Sequence, residues 1–431
     1  MKKYQSIIIA NDAEAFTTII EGIADKNCKT QKINKEHFLS SRFLFWEKDN
    51  KIVITPFEIE RAVLDQLNNL GYINTICWTP KGKGINLCEE ILRDTDLFIK
   101  LKNLISENPS ITLSPYCYTK EFAQLIEMLR EEHLIFTVDQ EPQKKSAWLV
   151  DYLGSKIGFR IEIEKLKIKS PEFFICKSKK EIIAAGKWFL EQKKSFVAKV
   201  SQGEGGWGVL LVDNDTKIQE ELDSDSIWEK EPFIVEEFID SIPGDDNSPS
   251  VEVCINNKKV TVKYVCNQIL DARGKFMGIL MGQDCIDKKI QLKIHLIAKK
   301  IGKRYKELGY RGYFDIDFIL SKDGELYPVE TNVRRTGGTH VFDSARYIFG
   351  DKWFKETVCF SNDCFTYKGN ILSSNEIFRK IKKLQMPMQQ KREGVIITTI
   401  DTNSPVFAFI IFASTKVKAI SIYKQLIKIF Q

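Results

Sequence analysis

Over the first 150 residues, short apolar runs alternate with longer stretches in which apolar side chains recur every three or four positions. The runs at 6–10, 51–56, 72–78 and 111–116 read as strands, and 58–69 and 120–132 as helices. Strand and helix in alternation predict an open α/β sheet. From 151 to about 352 the pattern changes to longer strands, glycine loops and two helices, 178–193 and 287–308, the first opened by Ser178 and Glu181 at capping-box spacing. Beyond it, 394–400 and 406–413 read as strands and 415–430 as a closing helix with Ile420, Tyr423, Ile427 and Phe430 on one face. Three domains are expected: an α/β domain at 1–150, a central domain at 151–352 and a small α+β cap at 353–431.

Composition narrows the class. With 43% apolar and 28% charged residues the chain has the balance of a folded globular protein. Its longest apolar run, 406–413, is far short of a membrane span, and Asn11 and Asp12 cut the first apolar stretch before it could act as a signal peptide, so a cytoplasmic location without membrane partners is expected. Ten scattered cysteines form no C-x-x-C pair and read as reduced core residues. The net charge of +6 is spread among acids, which gives nucleic acid little support as a partner. Lys416, Lys418, Lys424 and Lys428 on the last helix raise a membrane-surface reading; a core-packed helix with solvated lysines is preferred.

The first chemical signal is Gly203-Glu204-Gly205-Gly206-Trp207-Gly208, flanked by the strand-like runs 196–200 and 209–212. A dinucleotide site would need a helix directly after the glycines. A protein kinase would place its lysine after the loop and carry H-R-D and D-F-G motifs, which are missing. What remains is a hairpin able to close over phosphates through its backbone amides, with Lys199 just upstream, or an ordinary glycine-rich hairpin with Trp207 as a packing lid.

The second signal is a hairpin, 314–320 and 326–332, turning at Asp323-Gly324. A two-residue turn would pair Lys322 with Glu325, Asp317 with Glu330, and Asp315 with Asn332, and would set Pro328 at a non-hydrogen-bonded position. Strand alternation then projects Asp315, Asp317, Glu330 and Asn332 from one face. Opposed carboxylates repel unless neutralised, so either a magnesium site or a solvated acidic face is implied. Arg334 and Arg335 follow at once, suited to a phosphoryl group or a carboxylate. His340 could act as a base, though an isolated histidine is more often structural.

Together, Ser155-Lys156, Val197-Ala198-Lys199, the glycine loop, the run 234–239, Asp317 and Glu330-Thr331-Asn332-Val333-Arg334 resemble the ATP-grasp superfamily over roughly residues 150–350. The resemblance implies an ATP-grasp fold with a pre-ATP-grasp α/β domain in front of it. It further implies that Lys156 and Lys199 contact nucleotide phosphates, together with Gly203, Gly205, Gly206 and Gly208. Glu236 would stand at the adenine hinge, with Glu237 and Ile239 offering backbone groups to the base. Asp317, Glu330 and Asn332 would hold Mg²⁺, and Arg334, with Arg335, would stabilise the phosphoryl group. E-T-N-V-R replaces the family's E-x-N-P-R, and the segment 245–249 lengthens the link to Ser250-Val251-Glu252, which leaves the role of Glu252 open. Asn267-Gln268-Ile269-Leu270, the run 334–340 and the cap resemble the pheganomycin-type peptide ligases.

The activity so implied is an ATP- and Mg²⁺-dependent ligase that joins a small-molecule carboxylate to an amine, amino acids or peptides, through an acyl phosphate, releasing ADP and phosphate. A homodimer is compatible with it. The alternatives are an ATP-grasp enzyme with another acceptor, such as bicarbonate or a thiol, and an ATP-binding protein without chemistry.

Overall fold

The computed structural model describes residues 4–23, 25–203, 208–213, 217–229, 232–243, 247–272, 274–386 and 392–431. In chain order its strands are β1 (Ser6–Ile9), β2 (Lys51–Ile54), β3 (Thr75–Trp78), β4 (Thr112–Pro115), β5 (Thr137–Val138), β6 (Phe173–Cys176), β7 (Phe196–Val200), β8 (Val209–Val212) and β9 (Phe233–Glu237). They continue as β10 (Pro249–Ile255), β11 (Val260–Leu270), β12 (Phe276–Gly282), β13 (Gly312–Leu320), β14 (Leu326–Asn332), β15 (Val358–Thr366), β16 (Gly394–Ile400) and β17 (Val406–Ala413). The chain divides into two compact units. One comprises Met1–Glu141, Met277–Cys285 and Arg334–Gln431, the other Pro142–Phe276 and Ile286–Val333.

In the first unit a parallel sheet runs in the order β3-β2-β1-β4-β5. Ile7 to Ile9 and Ile52 to Ile54 are buried without alternation, the mark of parallel strands covered on both faces, and this is why they stand out as continuous apolar runs. β12 pairs antiparallel with β15, β15 with β17 and β17 with β16. Residues 353–431 fall in the same unit as the N-terminal sheet. Gln66 shows how: its amide donates to the Ile397 carbonyl at 2.6 Å and accepts from the Ile397 N–H at 3.0 Å. The last helix, Lys416–Phe430, buries Ala419, Leu426 and Phe430 and sets Tyr423 4.7 Å from Phe360, ring centre to ring centre, so it is packed on the core.

The second unit holds two antiparallel sheets, β6-β9-β7-β8 and β14-β13-β10-β11. The helix Lys179–Glu191 starts half a capping box: Ser178 accepts from the Glu181 N–H, whereas the Glu181 carboxylate takes the Lys177 N–H at 2.7 Å instead of the cap's own. The helix Lys156–Lys165 lays Phe159 and Ile163 on a core with Val251, Ile316 and Phe318. The same helix carries Lys156 and Arg160 to β14, where they meet Glu330 and the Pro328 carbonyl.

Candidate active site

Asp317 lies opposite Glu330, and Asp315 opposite Asn332, as the alternation predicts, but the route differs. The turn is one residue longer than expected: the Ser321 N–H donates to the Glu325 carbonyl at 2.9 Å, and Gly324 sits at φ 78°. Such a three-residue loop needs a left-handed residue, which glycine adopts without a Cβ penalty. A bulge between Asp317 and Phe318 takes up the extra residue, so Pro328 faces Phe318 while the acidic pairs fall back into register.

Each member of this group has a partner. The Asp317 carboxylate accepts from Gln268 Nε2 at 2.6 Å and from Asn332 Nδ2 at 3.4 Å. Asp315 is buried, and one of its oxygens accepts the Asn332 backbone N–H at 2.8 Å, so it braces the strand that carries Asn332. Glu330 is met by Lys156 Nζ at 2.7 Å. Glu252 is buried on β10 opposite Asp315.

Lys156 is the first residue of its helix, whose cap Ser155 accepts from the Gly158 N–H. Its backbone N–H donates to the Ser201 carbonyl at 2.9 Å and its Nζ lies 3.5 Å from the Gly203 carbonyl, so it stands where the glycine loop begins. Gly205 and Gly206, with Glu204 and Trp207, lie outside the described residues. Gly208, at φ 70°, closes the hairpin base, where an added Cβ would meet the Val200 side chain at 2.3 Å. Packing alone therefore requires glycine there.

Lys199 on β7 pairs with Glu236 on β9 at 2.6 Å. Glu236 is buried, and a second cation reaches it, Arg160, whose Nε donates at 2.8 Å and one of whose terminal nitrogens donates to the Pro328 carbonyl at 3.0 Å. Burial alone would raise the Glu236 carboxyl; Lys199 and Arg160 beside it hold it at about 2. Glu237 pairs with Lys194 at 3.0 Å, and its N–H donates to the Glu172 carbonyl. Among the described residues, the Ile239 N–H donates to no other backbone carbonyl.

Sequence reasoning missed Arg160 and Gln268. Arg160 lies four residues after Lys156, hence on the same helix face, and an arginine one turn from a nominated phosphate lysine was the available signal. Gln268 stands in the run 267–270 that carried the finer resemblance.

Arg334 and Arg335 belong to the first unit. Arg334 Nε donates to the Tyr116 hydroxyl at 3.1 Å, with the guanidinium 5.0 Å from the Phe16 ring centre. Arg335 is fully buried: it forms an ion pair with Asp139, donates to the Pro115 carbonyl at 3.0 Å and stacks over Trp46 at 4.8 Å. A guanidinium so enclosed holds strands together, and this counts against the catalytic role expected for Arg335.

Residues 154–338 match the model of the ATP-grasp domain. The chain carries an ATP-grasp domain. Among curated relatives, it is 28% identical over 117 residues to L-propargylglycine–L-glutamate ligase of Streptantibioticus cattleyicolor, a match covering 27% of this chain and 23% of that one. It is 26% identical over 151 residues, 34% of each chain, to the [butirosin acyl-carrier protein]–L-glutamate ligase of Niallia circulans. The matched region thus spans about a third or less of either relative. Among solved structures, carboxyaminoimidazole ribonucleotide synthase from Aspergillus clavatus complexed with ATP superposes at a TM-score of 0.55 with 12% identity, covering 100% of this chain and 99% of that one. That likeness concerns the fold.

The donor set suits a hard cation: two carboxylates and an amide carbonyl, Asp317, Glu330 and Asn332, on neighbouring strand positions. Among the described residues, no group of three or more His, Cys, Asp or Glu side chains forms a ready cage. Magnesium sites are commonly built this way, with one or two protein carboxylates and the remaining ligands from substrate phosphates and water. No described helix is long and apolar enough to cross a membrane.

Proposed function

We propose that the ATP-grasp domain serves an ADP-forming ligase that joins a carboxylate to an amine through an acyl phosphate, with free amino acids or peptides as substrates. The observation that carries this reading is the pairing of Lys156 with Glu330 at 2.7 Å, where Glu330 faces Asp317 across β13 and β14. An ammonium for phosphate oxygens and carboxylates for a cation are gathered beside the start of a glycine loop. Lys199 offers a second ammonium from β7.

Mg²⁺ held by Asp317, Glu330 and Asn332 would neutralise phosphate charge and polarise the transferred phosphoryl group. The chain's own residues do the rest. Gln268 and Asn332 aim the Asp317 carboxylate, Arg160 and Lys199 keep Glu236 ionised, and Lys156 releases Glu330 as phosphate takes its ammonium. Arg334 is assigned to the charge that develops on the phosphoryl group. Catalysis of this kind rests on positioning and electrostatics, so no nucleophilic side chain is required. Both curated relatives are named as ligases of glutamate, and one of them acts on an acyl-carrier protein; an amino-acid substrate is the natural first candidate.

Carboxylate labelled with ¹⁸O tests the acyl phosphate. One labelled oxygen should appear in the released phosphate, because the carboxylate oxygen that attacks phosphorus leaves with it. Unlabelled phosphate from a turning-over enzyme would refute activation by phosphoryl transfer.

A further inference from the structure

The even spread of charge expected from the sequence breaks down at one element of the second unit. The helix Lys288–Leu308 carries seven lysines and one arginine against a single acid, Glu307, a net +7 in 21 residues of a chain whose total is +6. Its apolar stripe, Ile294, Ala298, Ile301 and Tyr305, packs into one core with Val251, Ile316 and Phe318. Strand alternation sends Asp315 and Asp317 from the other face of that sheet, so the helix lies behind the sheet, away from the acidic group.

The outward face of this helix breaks two rules at once. Lys288, Lys289, Lys293, Lys299, Lys300 and Lys303 are exposed. Among the described residues none of these six has an ion-pair partner, and on this helix Arg304 alone reaches a carboxylate, Glu162 at 2.7 Å. Exposed lysines elsewhere do find acids: Lys217 meets Glu220 at 3.1 Å, Lys322 meets Asp240 at 3.2 Å and Lys418 meets Glu393 at 3.1 Å. Like charges stand one turn apart at 289 and 293, 299 and 303, and 300 and 304, where they repel. The first turn holds Lys288 and Lys289 and no acid, against the helix dipole. Between these lysines Leu292 and Leu296, one turn apart, are each 62% exposed. A solvated helix face gains from charges of alternating sign; this one sets unpaired like charges around an apolar centre, at a cost to the free protein. An apolar centre inside a charged rim is the anatomy of an interface.

We propose that this face docks a second protein through an acidic helix, whose own apolar residues, one turn apart, cover Leu292 and Leu296 while its carboxylates meet the lysines. The unpaired charge sets the sign of the partner, and the two leucines set its class. An anionic bilayer takes up a helix by a broad apolar face, and here that stripe is committed to the core. Nucleic acid would meet the lysines but leave both leucines among phosphates. A partner held behind the sheet does not occupy the face that carries Asp317 and Glu330, so the inference does not depend on the ligase reading.

The test uses the full chain and a fluorescein-labelled helical peptide with two leucines four residues apart, glutamates around them and alanine elsewhere. Fluorescence anisotropy should show saturable binding that weakens as salt rises. Replacing the peptide's leucines by alanine should weaken it about tenfold or more, a comparison on the wild type that needs no variant to fold. In the protein, Lys299→Glu with Lys300→Glu and, separately, Leu292→Ser with Leu296→Ser should each have the same effect. Lys382→Glu with Lys383→Glu, an equal change of net charge at exposed positions elsewhere, should leave binding within about twofold. The Lys299→Glu, Lys300→Glu variant should melt no lower than the wild type, because its new carboxylates stand one turn before Lys303 and Arg304. The docking face would be overturned by no saturable binding of the glutamate peptide, by equal binding of the peptide without leucines, or by an equal loss in the Lys382→Glu, Lys383→Glu control. It would be overturned as well if a thymidine oligonucleotide, or phosphatidylcholine vesicles with a quarter phosphatidylserine, bound as tightly as the peptide. Self-association of the protein alone that the helix variants abolish, seen by sedimentation, would give the face to a second copy and also refute the proposal.

Discussion

Arg160→Met removes a guanidinium that has no solvent to replace it. In the folded protein Arg160 is fully buried and shares Glu236 with Lys199. Holding the Glu236 carboxyl at about 2 in place of its ordinary 4.5 corresponds to about 3 kcal/mol. Lys199 stays in the variant and keeps part of that. The Pro328 carbonyl loses its donor, adding about 1 kcal/mol. The expected loss is therefore about 2–4 kcal/mol, in keeping with the ~3–5 kcal/mol typical of breaking a buried pair. Denaturant titrations of the wild type, Arg160→Met, Glu236→Gln and the double variant give the coupling directly. The double variant should be clearly less damaged than the sum of the singles, because the carboxylate that needs the guanidinium is gone. The sign with pH follows from linkage. A carboxyl held below its unfolded value contributes stability that is complete above about 4.5 and is lost as pH falls towards 2, and Glu236→Gln should abolish this component. Additive single effects, or an acid response unchanged in Glu236→Gln, would refute the network.

Three further outcomes are expected. Gln268→Leu frees one oxygen of Asp317 from its 2.6 Å bond; the Mg²⁺ concentration for half-maximal activity should rise several-fold, with the melting temperature little changed, and an unaltered Mg²⁺ dependence would contradict the positioning role. Arg335→Met breaks the buried pair with Asp139 and should cost about 3 kcal/mol of stability while the folded fraction keeps its affinity for ATP, as a titration would show. Burial lowers the Lys51 ammonium to about 7, with Glu47 and Asp343 opposing; the unfolded chain holds that proton up to about 10.5, so stability should climb by roughly 1 kcal/mol per pH across that window and the climb should vanish in Lys51→Met.

Local pattern carried much of the fold. The strands at 394–400 and 406–413 end where their unbroken runs of apolar and threonine residues end, because all of their residues but Val406 are buried. The acidic register was legible because alternation depends only on parity, and the longer turn and the bulge at Asp317 cancel. What could not be read is pairing over distance. Nothing near Arg160 in sequence names Glu236 as its partner, nothing near Arg335 names Asp139, and the union of 353–431 with the N-terminal sheet depends on side chains such as Gln66 finding β16. Arginine in a catalytic-looking run and arginine in a buried strut look alike until the fold supplies the partner.

The most direct test of the central claim is ADP release from ATP and Mg²⁺ with pooled carboxylates and amines, using a Lys199→Ala, Glu330→Ala double variant as the blank. The account predicts release that requires one carboxylate and one amine together and disappears in the blank. Release that needs neither, or that survives in the blank, would contradict it.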